Sequence, residues 1–329
     1  MWFRRLVGFS ESGLDQVREN LILEGEYLTS KANGKRMRCG ELMIPSLQEL
    51  KDKTQDINSY GGKISIDEIV GDVQKLHLKD AGATFQAASQ FNLLEMASPY
   101  YTPEQGVDIY ENDHTQGPAC AIACGAGTIY RNYFVNLPGQ TGQSRTHQVD
   151  CLADIGDYLN NSELAHWKME NGYAFATAKG LLHISETIEQ LTDKAYESLQ
   201  GKLGIQANTE VTIDPNGALV TQVYCSALPI RYTDIATEKW EAFARLVLEA
   251  TYEATFYAAL NNYAETGNNK LYLTLVGGGV LGNPFPWVFE AIEKSVQKFK
   301  DTPLDVSVVS YGSSKSSLKR FLNELSGRI

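Results

Sequence analysis

Residues 271–284, LYLTLVGGGVLGNP, constrain the fold more than any other stretch of the chain. Leu271, Leu273, Leu275 and Val276 make a short apolar run of the kind that forms a buried strand. Gly277, Gly278, Gly279 and Gly282 then break it. Asn283-Pro284 and Pro286 follow, and residues 287–299 form an amphipathic run. The predicted order is strand, glycine-rich loop, helix. Glycine reaches positive φ and lets the backbone come close to a ligand. The start of a helix offers unpaired N–H groups that suit a phosphate. The bland alternative is a strand-to-helix turn that holds nothing. The spacing fits neither the P-loop, because no Gly-Lys-Ser/Thr follows, nor the dinucleotide fingerprint with its acidic residue about 20 positions on.

The flanking segments extend the alternation. Trp240, Phe243, Val247, Ala250, Ala254 and Ala258 recur at three- and four-residue spacing and predict a helix over 237–263, ended by Gly267. A strand at 306–311 and a helix at 316–325 follow the glycine loop. Strand, helix, strand, helix, strand is the pattern of a layered α/β sheet, where ligands sit at the C-terminal ends of strands.

Upstream, residues 1–9 read as a strand and 11–23 as a weak helix. Residues 27–31 and 35–39 flank Asn33-Gly34, a hairpin signal. Pro45 is placed to open a helix over 46–53. Strands are predicted at 64–70, ending in Gly71-Asp72-Val73, and at 83–89. Residues 90–114 form a long irregular stretch with Asn92, Glu95, Asp108, Glu111, Asp113 and His114, the length of a functional loop. Gly117-Pro118 then opens a small-residue helix over 119–133. Helices at 149–159 and 185–203 bracket a short strand at 173–178. Asp214-Pro215-Asn216-Gly217 turns one strand, 211–213, into another, 218–232.

The chain has 329 residues and a net charge of −11, so non-specific binding to a nucleic-acid backbone is not expected. A nest of N–H groups can still hold a phosphate in an acidic protein. The five cysteines are odd in number and widely spaced, which fits a reducing compartment rather than a disulfide framework. Cys120 and Cys124 lie one helical turn apart but lack further metal ligands nearby, so no metal site is expected. No apolar run is long enough to span a bilayer, and no secretory signal follows Arg4-Arg5. The default location is cytoplasmic, with export by a signal-less route left open.

The order of these motifs resembles the macrodomain family, the ADP-ribose-binding α/β/α module. Gly71-Asp72-Val73 is similar to the family's turn after its first core strand. Residues 83–89 resemble the strand that usually ends in Asn-Ala-Ala-Asn. Gly117-Pro118-Ala119 stands where the family has its first glycine loop, and VGGGVLGNP resembles its second, phosphate-gripping loop. The resemblance covers residues 64–312. It implies a three-layer α/β/α mixed sheet in residues 64–329, with an insertion at about 136–208 and residues 1–63 as an extension packed on the core. The sequence departs from the family at Gln86-Ala87-Ala88-Ser89, which has no asparagine at either end, and at the first loop, which has no glycine triplet. The glutamate pair that follows the Gly-Gly-Gly of poly(ADP-ribose) glycohydrolases does not follow Gly279.

The resemblance implies that ADP-ribose, free or on a modified protein, is the partner, with no metal or redox cofactor. Asp72 and Val73 would hold the adenine amino group. Gly117, Gly277, Gly278, Gly279, Val280, Leu281, Gly282 and Asn283 would line the diphosphate, and Tyr311 or Phe285 would stack on adenine or ribose. For hydrolysis at the ribose, Glu111 or Asp113 would orient a water, His114 would shuttle a proton and Asn92 would hold a hydroxyl or a water. Glu95 ranks below these. Arg131 and Arg145 read as surface charges. Two functions stay open: an ADP-ribosyl hydrolase, or a non-catalytic ADP-ribose or nucleotide reader. A third is an unrelated α/β nucleotide-binding enzyme that shares only the glycine loop.

Overall fold

Seven strands form one twisted sheet in the computed structural model, which describes residues 1–54, 56–199 and 201–329. They are β1 (Glu41–Met43), β2 (Ser65–Val70), β3 (Thr84–Ala88), β4 (Gly204–Glu210), β5 (Leu219–Cys225), β6 (Lys270–Leu273) and β7 (Asp305–Ser310), in the spatial order β1-β4-β5-β3-β6-β7-β2. The five strands from β5 to β2 run parallel, and β4 and β1 add an antiparallel edge. The registers Cys225↔Ala88 and Ser310↔Val70 gather the C-terminal ends of the parallel strands on one side. β3, β5 and β7 are buried along almost their whole length, as strands covered on both faces must be.

Helices cover both faces. On one lie α1 (Val73–Lys79), α2 (Gln116–Ala123) and α3 (Gly125–Tyr133); on the other lie α4 (Ala178–Glu189), α5 (Glu241–Thr266) and α6 (Phe285–Lys298). Successive β3 side chains mark the two layers. Phe85 stacks on His77 of α1 at 3.7 Å between ring centroids, while Gln86 Nε2 donates to Thr255 of α5 at 3.1 Å. Helix α7 (Ser316–Ser326) packs beside β2 and stacks its Phe321 on Phe289 of α6. This is the expected three-layer mixed α/β architecture. No helix among the described residues is long and apolar enough to cross a membrane.

Several local expectations are corrected. Residues Trp2–Val7 are a helix, not a strand. Its buried residues Trp2, Phe3, Leu6 and Val7 fall on one helical face, and Gly8 ends it at φ 84°. That face joins Leu28, Met37, Ala121, Ile129 and Tyr133 in a second apolar cluster against α2 and α3. The predicted helix at 119–133 starts earlier, at Gln116, and breaks at Cys124. The break lets Thr212 bind both sides of the bend, its N–H donating to Ala123 O and its Oγ1 accepting from Gly125 N–H. The predicted helix at 185–203 is instead α4 and a separate short helix, Asp193–Ser198, capped by Thr177 and Thr192. β5 ends at Cys225 rather than running on to 232. Pro45 precedes the cap rather than occupying the first turn of Leu47–Lys53; Ser46 and Glu49 form the capping box.

Candidate active site

Beyond the end of β3 the chain makes a tight turn and buries a carboxyl group. Gln90 N–H donates to Leu94 O at 2.9 Å and Leu93 N–H to Gln90 O at 2.9 Å, with Leu93 held at φ 65°. The turn delivers Glu95 to the C-terminal edge of the sheet. Its backbone N–H donates to the Tyr110 hydroxyl at 3.2 Å. The start of α2 closes on it from the other side. Gln116 grips the end of β3 like an added strand residue, its Oε1 accepting from Ala88 N–H at 3.0 Å and its Nε2 donating to Gln86 O at 2.8 Å. This pulls the Gly117 backbone so close that an added Cβ would meet Glu95 Oε2 at 2.2 Å and Ala88 O at 2.4 Å.

These elements line a cleft of about 240 Å³. Glu95, Asp113, Thr115, Gln116 and Gly117 form one wall. Gly277, Gly279, Val280 and Leu281 of the glycine loop form the other. Tyr173 and Tyr232, 5.4 Å apart between centroids, close one end. Tyr173 comes from the hairpin of Trp167–Glu170 and Tyr173–Ala176, and its hydroxyl donates to Met96 O at 2.9 Å.

The glycine loop keeps its shape through internal bonds. Gly278 N–H donates to Leu275 O and Asn283 N–H to Gly277 O, while Asn283 Nδ2 reaches Leu228 O at 2.9 Å. Gly277 and Gly282 have φ of 73° and 81°, and a Cβ on Gly277 would meet Ala227 at 2.4 Å. The N–H groups of Gly279, Val280 and Leu281 meet no protein acceptor among the described residues. A run of such groups is a nest for an anion.

A second lobe of about 280 Å³ adjoins the first, and Asp113 borders both. Asp72, Gln74, Ala119, Ile122, His114 and Tyr311 line it, together with Trp2 and Arg5 from the N-terminal helix. Asp72 caps α1, with Oδ1 accepting from Gln74 N–H at 2.9 Å. Tyr311, just past the end of β7, is 73% exposed.

The carboxyl groups differ sharply in state. Burial pushes Glu95 up to about 8, against a smaller downward pull from Arg131 and an upward push from Asp113. Its Oε1 is buried with no hydrogen-bond partner among the described residues. Its surroundings therefore favour the protonated form. Glu111 is held down to about 2 by hydrogen bonds from the Met1 amine and from Arg5, each at 2.7 Å. Asp113 is exposed and its Oδ1 accepts from Thr115 N–H at 2.8 Å.

The structure thus brings Asp113, Gly117 and part of the glycine loop to the first lobe and Asp72, Asp113, His114 and Tyr311 to the second. Glu111 lies in its wall but is engaged by cations. Asn92 is fully buried, bracing the turn through Leu94 N–H and Gln148, and lines neither lobe. Val73 is buried inside α1, and Phe285 stacks on Phe289 under Lys315. Gly278, Gly282 and Asn283 shape the glycine loop from behind. Arg131, expected at the surface, is fully buried because its guanidinium lies on the Tyr224 ring at 3.6 Å and donates to Leu93 O at 2.9 Å. Arg145 is exposed. Sequence reasoning placed Glu95 below Asn92, Glu111, Asp113 and His114 and did not single out Tyr173 or Tyr232, all three of which line the cleft. The one signal for Glu95 is a lone acid inside Leu93-Leu94-Glu95-Met96.

No family model and no curated protein sequence matches the chain. Some solved structures are similar to it. Poly(ADP-ribose) glycohydrolase from Deinococcus radiodurans in complex with ADP-ribose is 9% identical with a TM-score of 0.46, over 86% of this chain and 92% of that one. The enzyme from Thermomonospora curvata is 13% identical with a TM-score of 0.45, over 99% and 98%. Its complex with the inhibitor ADP-HPD is 14% identical with a TM-score of 0.44 over the same shares. With TM-scores under 0.5 and identities this low, the likeness assigns no activity to this chain.

Proposed function

We propose that the protein binds ADP-ribose across both lobes and hydrolyses the bond between its distal ribose and a modified macromolecule. The observation that carries this reading is Glu95: a buried carboxyl whose burial favours the protonated form, with one oxygen unpartnered, in the wall of a cleft at the C-terminal ends of parallel strands.

Adenine occupies the second lobe, where the Asp72 carboxylate accepts from its amino group and Tyr311 stacks on its face. The diphosphate crosses the N–H groups of Gly279, Val280 and Leu281. The distal ribose lies in the first lobe against Glu95. Glu95 gives its proton to the leaving oxygen as the bond to the anomeric carbon breaks. Water then adds to that carbon and passes a proton to the Asp113 carboxylate, leaving free ADP-ribose and the unmodified acceptor. Burial favours the protonated form of Glu95, and an acid of this kind beside a second carboxyl group is what acid-assisted glycosidic cleavage needs. Calorimetric titration with ADP-ribose, beside turnover of mono-ADP-ribosylated protein by the wild type and by Glu95→Gln, tests the reading. Binding in both with turnover lost in the variant supports it. Absence of binding to the wild type sinks it.

A binding-only role is favoured by one observation, the engagement of Glu111 by Met1 and Arg5, which removes one of the carboxylates expected to act. It predicts binding without turnover in the wild type.

A further inference from the structure

Arg131 is a fully buried cation whose hydrogen-bond partners are all neutral. Its Nε donates to Leu93 O at 2.9 Å, its Nη2 to Thr128 Oγ1 at 3.2 Å and its Nη1 to the Tyr224 hydroxyl, while the guanidinium rests on the Tyr224 ring. Tyr224 is itself fixed, donating to Gln222 Oε1 at 2.8 Å. A buried charge of this kind is costly unless a partner compensates it.

The Leu93 carbonyl is an informative place for it to act. Leu93 sits at φ 65°, a region that a branched side chain enters only when the surroundings enforce it. The turn is held on its other side by Asn92, whose Oδ1 accepts from Leu94 N–H and whose carbonyl accepts from Gln143 Nε2. Two residues later comes Glu95. The titratable groups whose charge interacts with that of Glu95 are Asp113, Tyr110, Cys120 of α2, Tyr173 of the hairpin, Tyr224 of β5 and Arg131 of α3. Of these, Arg131 alone is cationic.

We infer that Arg131 is the positioning residue for Glu95: it grips the Leu93 carbonyl, holds the left-handed turn that aims the Glu95 carboxyl into the first lobe, and presents the cation that this carboxyl faces. The inference rests on Glu95 as the acid of the proposed reaction, but its test needs no substrate. The protonation midpoint of Glu95 is read by NMR of carboxyl-labelled glutamate, with Glu95→Gln to assign the signal.

In Arg131→Met the midpoint should rise by at least one pH unit, a tenfold tighter hold on the proton. An unmoved midpoint in the folded variant overturns the inference, whether or not the protein hydrolyses anything. Arg131→Lys keeps the cation and loses the planar fork, so it serves should Arg131→Met fail to fold. There, hydrogen exchange of the Leu94 amide should quicken at least tenfold while exchange in β3 and β5 stays as in the wild type. Unchanged exchange at Leu94 overturns the inference equally.

Discussion

A Cβ built on Gly117 would lie 2.2 Å from Glu95 Oε2, so the absence of a side chain at one position is the condition for the carboxyl at the other. Gly117 is the second residue of α2 and follows Gln116, whose side chain fastens that helix to β3. The helix start cannot back away without losing both Gln116 bonds. Gly117→Ala must therefore move Glu95 or strip the helix from the strand. Overpacking of this kind costs about 1–3 kcal/mol. The expected outcome is a melting temperature lower by several degrees and turnover reduced at least tenfold. Unaltered turnover would mean that Glu95 does not need its present place.

Glu95→Gln separates stability from activity. The native state raises the affinity of Glu95 for its proton, so between pH 4.5 and about 8 the folded protein binds more protons than the unfolded chain. Stability then falls as pH rises through this window and levels off above it. Glutamine removes the dependence. The variant should be more stable than the wild type, with a margin that grows from pH 4.5 to about 8, while turnover drops at least a hundredfold. Urea denaturation at several pH values checks the first part. A pH-independent margin would show that Glu95 is ionised throughout.

The parts legible in sequence were those that local pattern determines. The apolar run before Gly277 became β6, the periodic run at 237–263 became most of α5, and Gly267 capped it at φ 76°. The identity of the buried acid was not legible. Glu111 and Glu95 both stand in the irregular stretch, and what separates them lies far away in the chain. Arg5 reaches Glu111 across 106 positions, through a helix read as a strand. Glu95 owes its burial to Gly117, Tyr110 and Tyr173, on three separate elements. Arg131 was misread for the same reason: nothing next to it in sequence announces that Tyr224 and Leu93 will enclose it.

Asp72 has two tasks that substitution can divide. As the cap of α1 it accepts from Gln74 N–H, and alanine there should cost about 1 kcal/mol. Asparagine caps equally well but lacks the carboxylate. If Asp72 accepts from the adenine amino group, Asp72→Ala and Asp72→Asn should both weaken ADP-ribose binding about tenfold or more, with only the alanine variant losing stability. Titration calorimetry beside thermal denaturation reads both. Wild-type affinity in Asp72→Ala would leave Asp72 as a cap alone.

His77 opposes Glu95 in its effect on pH dependence. It is fully buried between Phe85 and Gln222; its Nδ1 meets Val73 O at 2.7 Å and its Nε2 meets Gln222 Nε2 at 2.9 Å. A carbonyl on one nitrogen and an amide donor on the other define a neutral ring protonated at Nδ1. Burial lowers it to about 4. The folded state therefore binds fewer protons at His77 than the unfolded chain between about pH 4 and 6.5, so stability rises with pH there and is complete above 6.5. Between pH 4.5 and 6.5 this rise offsets the fall caused by Glu95, each about 1.4 kcal/mol per pH unit. Of these two groups only Glu95 still contributes from 6.5 to about 8. Their joint contribution should accordingly stay nearly constant from pH 5 to 6 and be lost from 7 to 8. Glu95→Gln should remove the loss above pH 7 and leave the His77 rise up to 6.5. Nitrogen NMR of the His77 ring provides the direct check: a midpoint near 6.5 would remove the offset and, with it, the flat region of the wild-type profile.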